Sequence, residues 1–488
     1  MKKILLSLAL LVLVLAAVVT FRTLTFESKQ MQVDAIPHLP VGDDAVERLR
    51  QALMIRTISH QNPAHMDSSE FFRFHQFLKT NYPLCDSLLE KTVINELSLV
   101  YKWQGSDASL NPALFMAHQD VVPIDSTTSD QWEQPPFDGV IADGFIHGRG
   151  SIDVKEILLG LMESAEYHLA KGYQPKRTIY FAFGHDEELG GMNGAAKIAA
   201  HFKEQGIRFT FSVDEGGAVL HGVVPAVDKP VAVIGIAEKG YVSFKLEAHD
   251  HGGHSSMPPK STSIGRLAKA VLNLELNPFP VKFEGVTKML FDHIGPEMKF
   301  PMNMIIANQW LFRFLVEAEM DKKNSTRATL HTTTAVTMFN SGTKENVISG
   351  KARAMVNHRV LPGTTIAQVR ERDSLTIADS TIHISTSNMH DVFEASPVAD
   401  VNSDSYKLMQ RTFHEMFPEA AVAPFLMLAS TDQKHYVDIV DDQYRIQPTR
   451  LNDADLSRIH GISERLSVEN YHEVINFYIR LLEQTGAK

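Results

Sequence analysis

The sequence predicts an α/β fold: a mostly parallel sheet covered by helices on both faces, with a second α+β unit inserted into it. Two observations carry this. Short apolar runs alternate with longer stretches of helical period, as in 113–117, 154–171, 178–183, 193–204 and 209–213, the pattern of strands buried on both faces and joined by crossover helices. Three of these runs also stop abruptly in ligand-type side chains. Leu114 to Ala117 ends in His118, Tyr180 to Phe183 runs into Gly184-His185-Asp186-Glu187-Glu188, and Phe209 to Val213 runs into Asp214-Glu215-Gly216-Gly217. In open α/β sheets ligands gather outside the carboxyl ends of parallel strands, so one shared site is expected there.

Taken in order, the chain begins Met1-Lys2-Lys3, followed by an uncharged apolar stretch from Ile4 to Phe21 and then Arg22. A stretch of about 18 residues just suffices to cross a bilayer. Residues 1–25 are therefore expected to be a signal anchor or a signal peptide, and the anchor is favoured because no clear small-x-small cleavage site follows. Lys2 and Lys3 would stay on the cytoplasmic side, placing the bulk of the chain in a periplasm, lumen or exterior, or secreting it if the segment is cleaved. Residues 26–42 are polar with scattered apolar positions and read as a tether. Helical period starts at Asp43, through Val46, Leu49, Leu53 and Met54, and recurs around Phe72, Phe74 and Phe77. A strand over 95–103 opens the alternation, and 43–236 forms the first part of the main domain.

After Ile236 the character changes. Residues 241–248 alternate, a helix follows over 263–274, strands over 331–338 and 351–360, a helix over 365–372 and a strand over 381–387. This β-α-β-β-α-β order is ferredoxin-like and assigns 237–393 to an inserted domain. Residues 281–327 are apolar in places but poorly patterned. Helices over 406–417 and 468–482 return the chain to the main domain, 394–488.

Composition narrows the function classes. At 488 residues, 44% of them hydrophobic, the chain can build two cores. Its net charge of -11 comes without a basic stripe, which argues against nucleic acid as a partner. A single cysteine, Cys85, excludes an intramolecular disulfide.

His118 and the carboxylates at the strand ends are joined by Asp153, which closes the glycine-rich turn Gly148-Arg149-Gly150-Ser151-Ile152-Asp153 ahead of a helical stretch. One histidine with several carboxylates suits zinc or a harder divalent ion. Alone, Asp153 reads equally as a helix N-cap, and Asp186-Glu187-Glu188 as a solvated acidic loop. Their recurrence at separate strand ends favours a metal site.

Together with Met116-Ala117-His118-Gln119-Asp120-Val121-Val122-Pro123, His251-Gly252-Gly253-His254-Ser255, Asn357-His358-Arg359-Val360-Leu361-Pro362-Gly363 and Ile459-His460-Gly461-Ile462-Ser463-Glu464-Arg465, these motifs make the chain resemble the M20 metallopeptidases, co-catalytic dizinc amidohydrolases with a zinc-peptidase-like sheet. Pro296-Glu297-Met298-Lys299-Phe300-Pro301 and Ala307-Asn308-Gln309-Trp310-Leu311-Phe312 resemble the carboxypeptidase S branch, which holds Gly-Xaa carboxypeptidases and N-fatty-acyl-amino-acid synthase/hydrolases. Ser349 and Ser463 depart from that branch, where proline and asparagine are usual. Neither is a ligand position.

The resemblance implies two zinc ions per subunit, bridged by Asp153. His118 and Asp214 would hold one, with Glu215 the alternative to Asp214, and Glu188 and His460 the other. It implies Glu187 as general base and Asp120 as the group that fixes the His118 tautomer. It further implies His254 as an oxyanion donor, in relatives often from across a dimer interface, so that a homodimer through the inserted lid domain is expected. Asn346 and Arg359 would bind the oxyanion and the substrate carboxylate. For these three residues a surface histidine, a turn asparagine and a solvated arginine are the plainer readings. His185 and His251 read as structural, and Asp432 and His435 resemble a substrate-proximal segment. The implied substrate is a small peptide or N-acyl amino acid with a free carboxylate.

Overall fold

Strands buried on both faces have no surface to present to water, and in the computed structural model, which describes residues 1–387 and 392–487, they lie at the centre. Ile179–Gly184, Ala113–His118, Phe209–Asp214 and Val440–Arg445 are adjacent in that order and all parallel. The first two are buried along their whole length. A hairpin, Glu90–Ile94 with Ser98–Trp103, extends one side antiparallel. On the other side Val231–Glu238, Ala218–Leu220 and Arg450–Leu451 follow, and Ala421–Met427 pairs parallel with Val231–Glu238 to complete a ten-stranded sheet. The strand expected over 95–103 starts at Ser98, because Asn95 and Glu96 take φ of 45° and 68° to turn the hairpin.

Helices cover both faces. Lys155–Ala170 and Val468–Ala487 pack together on one, approaching closely where Gly160 faces Val474 and Tyr478. Ala195–Glu204 covers the other through Ile198 and Phe202, which bury against Tyr180 and Phe209. The ring pairs there add to simple area burial.

The inserted β-α-β-β-α-β order appears as a separate antiparallel sheet, Thr333–Ser341, Lys351–Val360, Gly240–His249 and Ile382–Thr386. Strand Lys351–Val360 alternates strictly, its buried positions facing helices Ser263–Leu276 and Ile366–Ile377 and its other face open. The last residues of the expected insert, 388–391, lie outside the described residues.

Two stretches differ from expectation. Residues 281–330, placed inside the insert, form helices Gly285–Ile294, Met302–Ala307, Gln309–Met320 and Asn324–Leu330. Their buried side chains, among them Ile294, Ile306, Val316 and Leu330, pack on Val231, Val233 and Ala423 of the central sheet. Residues 26–42 are hydrogen-bonded along the body rather than free. Gln30 bonds both the N–H and the carbonyl of Val422, Ile36 N–H donates to the Glu415 carbonyl, and Leu39 and Asn476 bond reciprocally. The N-terminal helix, Lys2–Leu24, is long and apolar enough to cross a membrane.

Candidate active site

The parallel strands deliver their ends to one edge. His118 closes Ala113–His118; beyond Ile179–Gly184 the chain tightens into a turn carrying Glu187 and Glu188; Glu215 follows Phe209–Asp214 directly. Two sets of three donors result, His118 with Glu187 and Glu215, and His118 with Asp153 and Glu188, the donor atoms of each set within 4.8 Å of one another.

Asp153 lies between two histidines. Its Oδ1 is 3.1 Å from His118 Nε2 and its Oδ2 is 2.9 Å from His460 Nε2. His460 Nε2 is also 3.1 Å from Glu188 Oε2, and His118 Nε2 is 3.5 Å from Glu215 Oε1. Tetrahedral zinc with bonds of about 2.0–2.2 Å keeps its donors about 3.3–3.6 Å apart, so the set fits such an ion with small adjustments. Glu188 Oε1 is buried and unpartnered. Buried carboxylates in this excess over histidine are stable only with protons or cations beside them.

Their crowding is plain in their proton affinities. Burial, then Glu215 and Asp432, hold the Glu187 carboxyl well above the usual carboxylate range. Burial and the charge of Asp153 push Glu215 up to about 8, and burial pushes Asp214 up to about 6. Hydrogen bonds to Asp153 and Glu188 raise His460 to about 10. Burial opposes the charge on His118, but Glu215, Asp120 and Asp153 outweigh it and its pKa rises; burial likewise opposes Asp153, which His118 and His460 hold low. Donors that hold protons in this way are ones that divalent cations can bind in the protons' place.

The surroundings fix these donors. Asp120, fully buried, has Oδ1 3.4 Å from His118 Nδ1, and its two oxygens accept the backbone N–H groups of Glu187 and Glu188, each at 3.2 Å. Asp186 accepts from the N–H groups of Asn193 and Gly194 and closes the loop behind them. Gly191, at φ +72°, permits the turn, and a Cβ there would run into the Asp432 carboxylate. His435 Nε2 reaches the Gly190 carbonyl at 2.8 Å, so Asp432 and His435 border the same loop. His185 is held in the core by Ser98 Oγ.

Asp214 and Glu215, the two acids at the end of one strand, point different ways. Asp214 is still strand, its carbonyl accepting from Ile446 N–H, and its Oδ1 turns back to the N–H of Glu215. Glu215, the first residue past the strand, faces His118. In this arrangement Glu215 rather than Asp214 faces His118, because side chains of neighbouring residues at a strand end point opposite ways.

An ion pair that sequence reasoning left without a role joins the two halves of the site. Arg149 Nη1 is 2.7 Å from Glu464 Oε2, both buried, and Arg149 Nη2 donates to the carbonyls of His460 and Gly461. Glu464 also accepts from the N–H groups of Gly150, Ile152 and Asp153. This locks the Asp153 turn to the His460 loop, where His460 holds a left-handed φ of 58°. The signal was available in the pairing of an arginine and a glutamate inside two of the motifs.

The inserted sheet does not bring its residues to this cluster. His254 is exposed on a short ribbon, Gly253–His254 paired with Val347–Ile348, and bonds Ser256; Asn346 adjoins it through its carbonyl and Ser255 N–H. Arg359 lies on the open face of the inserted sheet, its guanidinium 4.6 Å from the Tyr241 ring centre. Among the described residues it forms no ion pair, and burial lowers its pKa.

Comparison with known proteins places the chain in a family. A model of the family described as Peptidase family M20/M25/M40 matches residues 114–484. The chain is 40% identical over 474 residues to the probable carboxypeptidase S-like 2 of Dictyostelium discoideum, covering 95% of this chain and 90% of that one. It is 39% identical over 443 residues to the N-fatty-acyl-amino acid synthase/hydrolase PM20D1 of Xenopus tropicalis, covering 90% and 85%. The fold matches the M20 family metallo-carboxypeptidase Sso-CP2 of Sulfolobus solfataricus with a TM-score of 0.65 at 16% identity, over 91% of this chain and 100% of that one. By sequence and fold the chain belongs to peptidase family M20/M25/M40, a metal-dependent family, and is an enzyme of peptidase-type hydrolysis.

Proposed function

We propose that the chain is a membrane-anchored dizinc amidohydrolase, its catalytic body on the non-cytoplasmic side, that cleaves the C-terminal amide of small peptides of Gly-Xaa type. The observation that carries this reading is Asp153 lying between His118 and His460, with Glu215 and Glu188 completing a donor set on either side. When bound there, zinc supplies Lewis acidity to the scissile carbonyl and makes water easier to deprotonate. Glu187 takes that proton and returns it to the leaving amine nitrogen. Asp120 keeps the His118 ring oriented and, through the N–H groups of Glu187 and Glu188, keeps the base and its neighbour in place.

Arg359 pairs with the substrate carboxylate, which its planar fork suits. His254 and Asn346 stabilise the oxyanion, delivered by closure of the inserted domain or by the second copy in a homodimer.

A second reading keeps the chemistry and changes the acyl group to a fatty chain. It is favoured by the 39% identity to an N-fatty-acyl-amino acid synthase/hydrolase. The apolar 281–330 stretch supports it less than its composition suggests, because Leu290 and Phe291 pack beneath the helices and Met289 against the main core. A catalytically inactive binding module is the reading of a different class, and the presence of Glu187 counts against it.

Product release from zinc-loaded wild type and Glu187→Gln, with Gly-Leu-type dipeptides beside N-oleoyl-type amino acids, decides among them. Dipeptide cleavage by wild type only is the expected result. Preference for the fatty substrates would move the assignment to the second reading, and silence from both proteins would leave the binding module.

A further inference from the structure

Helix Gln309–Met320 is apolar on two sides. At about 100° per residue, Phe312, Val316 and Met320 share one side, where Val316 and Met320 bury in the cluster over the central sheet. Trp310, Leu311, Phe314, Leu315 and Ala318 fill another arc of about 140°. On that arc Trp310 is 54% exposed, Phe314 63% and Leu315 44%. A contiguous bare face of this kind marks an interaction surface.

Its neighbour identifies what covers it. Asn308, buried just ahead of the helix, donates from Nδ2 to the Val19 carbonyl at 3.2 Å and to Thr23 Oγ1 at 3.1 Å, both on the N-terminal helix Lys2–Leu24. The Trp310 indole N–H donates to Asn308 Oδ1 at 3.4 Å. One amide thus ties Trp310 to the last turns of the apolar helix. Arg22 bonds the Ala307 carbonyl, and Phe26 packs on Gly295 and Ile306, so the junction is braced on both sides. The apolar run ends at Phe21, which puts Val19 to Thr23 where a spanning helix leaves the hydrocarbon. Trp310 is held at that depth, and a ring with an apolar body and one polar N–H is the side chain that settles there. Because 26–42 is bonded along the body, the body cannot swing away from the helix end.

We infer that the Trp310, Phe314 and Leu315 face is immersed in the boundary between headgroups and acyl chains of the bilayer that the N-terminal helix spans. The body is then docked on a lipid surface rather than hung from it. This rests on the anchor in the proposed function and goes beyond it.

The test uses the full chain in phosphatidylcholine vesicles, with and without bromine on the acyl chains near the headgroups. Of the three tryptophans, Trp103 is buried under the main core and Trp132 stacks against Arg149. The expected result is a loss of emission in brominated vesicles of up to the Trp310 share, absent in Trp310→Phe, with dipeptide hydrolysis unchanged. Equal emission in both vesicles, or equal quenching of wild type and variant, from a chain that resists alkaline carbonate extraction overturns the docked face alone. Release of the chain by carbonate overturns the anchor, and the docked face with it.

Discussion

The strand-end cluster and the ribbon of the inserted sheet are both built from polar residues in recognisable motifs, yet folding treats them in opposite ways. His118, Glu187, Glu188 and Glu215 meet because parallel strands end at one edge, and Asp153 and His460 are locked beside them by Arg149 and Glu464. His254 and Asn346 sit together on an exposed ribbon and touch none of these. Topology assembles the first group within one chain. The second is formed by the insert and stands apart from the cluster; under the proposed function it is delivered by movement or by a second copy.

The sharpest way to break this contrast is to remove the residue on which the first group converges. Asp153→Asn should abolish hydrolysis and strip both metals, read by elemental analysis of the purified protein. Glu215→Gln should lose one metal, and Asp214→Asn should keep both. Loss of metal from Asp214→Asn with retention in Glu215→Gln would return the donor role to Asp214.

A smaller effect tests the second group. His254→Ala should lower kcat by about 10²–10³-fold, the range for a removed oxyanion donor, with metal content intact. If the histidine acts across a dimer, mixing His254→Ala with Glu187→Gln and letting subunits exchange restores about a quarter of wild-type activity, because half the dimers then hold one complete site. No recovery, with exchange verified, assigns His254 to its own chain.

What could be read from sequence follows the same division. Strand ends were legible because buried parallel strands are continuous apolar runs, and a carboxylate just after such a run stands out. The choice between Asp214 and Glu215 was not, since it turns on whether the strand ends one residue earlier or later. Val440–Arg445 was unreadable as a central strand because its Gln443 and Arg445 are polar, and their partners lie elsewhere in the fold, Glu238 for Arg445 and the Gln433 carbonyl for Gln443. Helix Gln309–Met320 defeated pattern reading for a different reason, as apolar residues on two sides blur the period.

The smallest expected effect concerns stability, and it asks whether the first group is a cation site before any substrate is present. Without metal, Glu215 is held up to about 8 and Asp214 up to about 6. Between about pH 5 and 8 the folded, metal-free protein therefore binds more protons than the unfolded chain, and stability falls as pH rises. Each carboxylate contributes at most about 1.4 kcal/mol per pH unit while it remains protonated in the fold and ionised in the unfolded chain. His118 and His460, both raised, act in the same direction, the latter weakly because it is half exposed; Asp153, held low, acts only in more acidic solution. Chelator-stripped protein should thus melt several degrees lower at the alkaline end of this window than at the acid end. Zinc-loaded protein should show a shallower fall, because an ion replaces the Glu215 proton and binds more tightly as the donors ionise, while Asp214 keeps its share. The same slope with and without metal would mean that Glu215 is not a donor, and the convergence of strand ends would then need another explanation.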